Sequence, residues 1–65
     1  MQMREHNLNI GDVVRYKHDF IGVIVNLDNG GGVLRFPYVY VRLLESDKLK
    51  IAGVFDITVI SKGVS

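Results

Sequence analysis

Along this 65-residue chain the apolar residues come in short runs, and in the clearest runs they fall at every second position. A period of two belongs to half-buried strands, not to helices. Tyr38 to Leu43 shows it best: Val39, Val41 and Leu43 share one face, with Tyr38, Tyr40 and Arg42 on the other. The valine face is assigned to the core, and the tyrosine face, continued by Leu44, to the outside. Four further strands are expected, at Val13 to Tyr16, Phe20 to Leu27, Leu49 to Ile51 and Ile57 to Ile60. The breaks between them carry turn chemistry. Lys17-His18-Asp19 is a short loop, Glu45 to Lys48 is polar, and Asp28-Asn29-Gly30-Gly31-Gly32 suits a hairpin tip with positive φ. Val33 to Phe36 is expected to extend that hairpin, with Pro37 at an edge or bulge. Gly22 leaves room for a bulge or for close approach of another backbone. Ala52 to Asp56 is compact enough for one 3₁₀ turn, which Asp56 is expected to cap.

Composition sharpens this picture. Ten Val and six Ile stand against a single Ala, a balance that favours strands over helices. Hydrophobic residues make up 48% of the chain, enough to offset the ordering entropy that keeps polar chains unfolded. Val14, Val23, Val25, Val39, Val41, Ile51 and Ile60 are the expected heart of the core. Residues 1–9 read as a flexible N-terminal arm, 10–61 as the single domain and 62–65 as a frayed tail. There is no cysteine, so disulfides and thiolate metal sites are excluded, and His6 and His18 lack the spaced partners of a metal cage. No cofactor is expected. The longest apolar run, around Ile21 to Val25, is far too short to span a membrane, and no signal peptide opens the chain, which points to the cytoplasm.

The order Ile10-Gly11-Asp12-Val13-Val14-Arg15-Tyr16, then Ile21-Gly22-Val23-Ile24-Val25, then Tyr40-Val41-Arg42-Leu43-Leu44, then Ile57-Thr58-Val59-Ile60-Ser61 resembles an SH3-like small β-barrel. The resemblance covers Ile10 to Ser61 and implies an all-β, five-stranded barrel with a single 3₁₀ turn before the last strand. The sequence is similar to small uncharacterised proteins of tailed bacteriophages with a Gly-Asp-x-Val-Arg opening, although Leu43 stands where their pattern has tryptophan. That likeness implies a phage or mobile-element protein working in a host cytoplasm. KOW-type barrels share the Gly-Asp-x-Val and Gly-x-Ile/Val elements and touch RNA or protein. Type II dihydrofolate reductases open similarly and form a tetramer around a pore. Their Val-Gln-Ile-Tyr strand is replaced here by Lys48-Leu49-Lys50-Ile51-Ala52-Gly53, without the Gln or the Tyr, which argues against that enzyme.

Two surfaces are candidates for function. Tyr38, Tyr40, Arg42 and Leu44 mix ring, guanidinium and aliphatic groups in the way of interface centres, and suit a protein partner or a second copy of the chain. Arg15, Tyr16, Lys17, Phe20, Arg35 and Phe36 instead mix rings and cations, as a single-stranded nucleic-acid platform does. Eight Lys+Arg against seven Asp+Glu leave a net charge of +1, too little to favour phosphate neutralisation. Gly30-Gly31-Gly32 has neither the Gly-Lys-Ser/Thr nor the helix of a nucleotide loop. Asp12 sits where a turn needs a short polar acceptor, and no serine has a base beside it. The sequence therefore points to a non-catalytic binding module acting by protein contacts or self-association, with a KOW-like nucleic-acid domain as the alternative.

Overall fold

A computed structural model describes residues 2–3, 8–31 and 35–63. The described residues are all-β, apart from one 3₁₀ turn. A two-stranded ribbon joins β1 (Gln2–Met3) to β2 (Leu8–Asn9). The main sheet holds β3 (Val13–Tyr16), β4 (Phe20–Asp28), β5 (Tyr38–Leu43), β6 (Leu49–Gly53) and β7 (Ile57–Ser61), with the 3₁₀ turn Val54–Asp56 before β7. Its order is β6-β5-β4-β3-β7 and every pairing is antiparallel. Consecutive strands therefore meander, and the last returns to pair with the first of the sheet. The sheet stays open, with β6 and β7 as its two ends. No helix among the described residues is long and apolar enough to cross a membrane.

The core gathers Leu8, Val14, Ile24, Leu27, Val39, Val41, Leu43, Ala52 and Val54, with Tyr16, Ile57 and Val59 packed against it. Ile24 and Leu27 are three apart, so simple alternation would put them on opposite faces. A register shift between Ile24 and Asn26 inserts Val25 as an extra residue and returns Leu27 to the inside. Gly22 faces inward just before it. A Cβ there would lie 2.5 Å from Val41 Cγ1 and 2.6 Å from the Arg42 carbonyl oxygen, so the close-approach expectation holds while the bulge falls three residues later.

Of the expected core, Val14, Val39 and Val41 are fully buried. Val23 and Val25 are only half-buried, displaced by the Val25 bulge and by the inward phase of Gly22 and Ile24. Ile51 is 48% exposed, because pairing with Tyr40 puts it on the outer face and leaves Ala52, opposite Val39, inside. Ile60 is also 48% exposed, being the extra residue where Val13 meets Ser61 and Val14 meets Val59.

The ends also differ from expectation. Leu8 is buried in the core and Asn9 pairs in the ribbon, so the packed unit begins before Ile10. Lys62 and Gly63 are anchored to Asp12 rather than frayed. Arg35 and Phe36 form a bend, not an extension of the hairpin. The 3₁₀ turn has Gly53 at its N-cap and no side-chain cap hydrogen bond, so Asp56 does not cap it. The expectations for residues 1, 4–7, 32–34 and 64–65, His6 among them, lie outside the described residues.

Candidate interaction surface

The outer face of β5 and β6 carries the first candidate surface. Cross-strand register sets Tyr40 opposite Ile51 and Arg42 opposite Leu49, with Val23 on the other side of Arg42. Arg42 and Leu44 are exposed and Tyr40 is half-buried. Arg42 Nε lies 3.6 Å from Asp47 Oδ1, with both side chains largely in solvent, so the pair orients the guanidinium more than it stabilises the fold. Asp47 takes a positive φ of 58° at the end of the turn, where its N–H donates to the Leu43 carbonyl at 2.8 Å.

Tyr38 is not part of that exposed face. It is 2% exposed, at the point where β5 pairs with Gly53 on one side and Asp28 on the other. Its ring centroid is 5.6 Å from that of Tyr40. Burial pushes its hydroxyl pKa up to about 12, and the neighbouring Tyr40 and Asp28 side chains add to the rise.

Leu49, 58% exposed, and Ile51 complete the face, and sequence reasoning missed both. The alternation Lys48-Leu49-Lys50-Ile51 suggests lysines outside and aliphatics inside. The arrangement is reversed because the inner side of the sheet opens to solvent at this end. Lys48 and Lys50 there line a groove of about 450 Å³ with Phe20, Ile21, Leu43 and Glu45. A cleft of about 370 Å³ adjoins it, bounded by Asp19, Ile21, Leu44 and Glu45.

The second candidate surface is partly assembled. Tyr16 and Phe20 rings lie 6.2 Å apart, and Lys17 Nζ sits 5.3 Å from the Tyr16 ring centroid. Arg15 projects from the opposite face of β3, between Ile21 and Thr58. Arg35 and Phe36 come from the β4–β5 connection, with Phe36 against Gly53. The 3₁₀ turn links the two groups, since Lys17 N–H donates to the Asp56 carbonyl at 3.2 Å and Gly53 precedes the turn. That turn presents Phe55, 79% exposed, which no sequence signal singled out.

Asp12, by contrast, is structural. Its fully buried carboxylate accepts hydrogen bonds from Asn9 N–H at 2.9 Å, Gly63 N–H at 2.7 Å and Lys62 Nζ at 2.7 Å. Burial alone would raise its pKa, but Lys62 and the two N–H groups outweigh burial and hold it below its ordinary value. Among the described residues no three metal-ligating side chains converge. No protein-family model, curated protein or solved structure matches this chain.

Proposed function

We propose that this protein is a non-catalytic interaction module built on an SH3-like barrel, acting through contacts with another protein chain or with a second copy of itself. The architecture is supported by the strand order, in which β7 returns to β3, and by the 3₁₀ turn before β7. One observation carries the functional reading. Tyr40, Arg42, Leu49 and Ile51 share an outer face that ends at a strand edge unpaired among the described residues, a combination of ring, aliphatics and guanidinium typical of interface centres. Light scattering across a concentration series, together with panning against a random peptide display library, tests it. Self-association weakened by Tyr40→Glu, or selected peptides whose binding Tyr40→Glu weakens, supports the reading. A strict monomer at high micromolar concentration that also selects no peptide overturns it.

A second reading draws on the Tyr16, Lys17 and Phe20 cluster beside the 3₁₀ turn: a KOW-like module that stacks single-stranded nucleic acid. The net charge of +1 weighs against it. Filter binding of single-stranded RNA and DNA at physiological salt is expected to be weak or absent. Sub-micromolar, steeply salt-dependent affinity that is lost in Lys17→Glu would promote this reading over the first.

A further inference from the structure

We propose that the free edge of β6 binds an extended acidic segment of a partner protein, its carboxylates facing Lys48 and Lys50 and its apolar side chains facing Leu49 and Ile51. The inference rests on the protein-contact reading above and gives the partner a chemistry.

The backbone supplies the first argument. Among the described residues β6 ends the sheet and β5 is its one neighbour in it. Leu43 N–H donates to the Lys48 carbonyl at 2.8 Å, so Lys48 belongs to a hydrogen-bonded pair. Hydrogen-bonded and open pairs alternate along an antiparallel ladder. Lys50, opposite Val41, and Ala52, opposite Val39, therefore turn their backbone groups toward β5 as well. Leu49 and Ile51 point their N–H and C=O groups the other way, to the free side. That is the register an added strand needs.

Side chains supply the second argument. Lys48 and Lys50 lie on the groove side, near Phe20, Ile21 and Leu43, while Leu49 and Ile51 lie on the outer face. Among the described residues the ion pairs are Arg42 with Asp47 and Lys62 with Asp12, so neither groove lysine is engaged. Glu45 is the acid lining this groove, and it faces two lysines. An incoming strand alternates its side chains between the same two faces. Acidic residues at every second position meet the lysines, and apolar residues between them extend the Leu49 and Ile51 stripe.

The same lysines argue against a second copy at this edge. Two β6 strands paired about a two-fold axis bring four lysines together, and like charges across a strand pair repel. Edge lysines are a recurrent deterrent to self-pairing. β7, the opposite edge, carries no acid from Ile57 to Ser61 to offer them.

The test uses the full chain and dye-labelled octapeptides alternating valine with glutamate, lysine or serine. Fluorescence anisotropy reads affinity, and amide shifts and exchange protection read the edge. The glutamate peptide is expected to bind best and to protect the Leu49 and Ile51 amides. Lys48→Glu with Lys50→Glu, both exposed positions whose fold is checked by circular dichroism, should weaken it by about tenfold or more and reverse the preference toward the lysine peptide. Ile51→Pro, which removes an outward N–H, should weaken every peptide. Equal binding of the three peptides, or glutamate-peptide binding unmoved by the lysine reversal, overturns the proposal. If the glutamate peptide fails while library-selected peptides bind, this inference falls and the interaction-module reading stands. If neither binds and the protein is monomeric, both fall.

Discussion

The Lys62 ammonium lies 2.7 Å from the Asp12 carboxylate, fifty residues away in the chain, and this bridge joins the residue after the last strand to the loop before the first strand of the main sheet. The carboxylate is buried and the lysine about half exposed, so the interaction is strongest at its inner end. Asn9 N–H donates to Oδ2 and Gly63 N–H to Oδ1 of the same carboxylate, so segments before β3 and after β7 depend on one side chain.

Stability is expected to fall in acid through Asp12. Its folded pKa is below the ordinary 3.8, so its contribution is complete above that value and is lost as pH falls through the lowered one. Asp12→Asn should cost about 2 kcal/mol at neutral pH, because the amide leaves a buried N–H donor facing a donor. It should also shrink the acid-side decline. Thermal unfolding of both proteins from neutral pH downward reads the two effects, and parallel curves would contradict the assignment.

The register in the core predicts an unequal set of truncations. Ile24→Ala and Val41→Ala, both fully buried, should cost about 2–4 kcal/mol, a large share of the stability of so small a domain. Val25→Ala at the bulge and Ile60→Ala on the outside should cost well under half as much. Urea unfolding midpoints separate the two pairs.

These two pairs also mark what the sequence made legible. Strand identity was readable wherever alternation was clean, as in β5, and turn chemistry placed the β3–β4, β5–β6 and β6–β7 connections, while the bend at Arg35 and Phe36 was read as strand. Facing was readable only as far as the next bulge. A single inserted residue at Val25 or Ile60 reverses every side chain beyond it, and neither has a composition that announces it. Half of the outer face was found from Tyr40 and Arg42. Leu49 and Ile51 were not, because lysine alternation normally marks the solvent side, and here the inner side of β6 is also wet. Asp12 was legible as a turn acceptor, but its partners at Lys62 and Gly63 are fifty residues distant and local pattern carries no trace of them.

Two close backbone approaches give a paired prediction for glycines. Gly22→Ala drives a Cβ to 2.5 Å from Val41 Cγ1 and against the Arg42 carbonyl, so β4 and β5 must separate locally. The expected cost is about 1–3 kcal/mol. Gly63→Ala meets the Gly11 backbone at 2.6 Å and should release the Lys62 anchor, seen as faster exchange of the Gly63-equivalent amide. Gly31→Ala meets nothing within 4 Å among the described residues and should leave the unfolding midpoint nearly unchanged.

The buried tyrosine sets the alkaline limit. Tyr38 lies beside Tyr40 and pairs across the ladder with Asp28, an environment that opposes phenolate by burial first, by the Tyr40 side chain next and by the Asp28 charge after that. Ionisation is pushed from 10.0 up to about 12. A raised folded value means the neutral form is favoured in the native state, so the contribution of Tyr38 to stability is full below the ordinary value. It is lost as pH rises through the folded one. Ultraviolet titration of the native protein should therefore show a late tyrosinate step that Tyr38→Phe removes. The same variant should flatten the decline of thermal stability on the alkaline side. A native-state step for Tyr38 at its ordinary value of 10.0 would contradict both its burial and its partnership with Asp28.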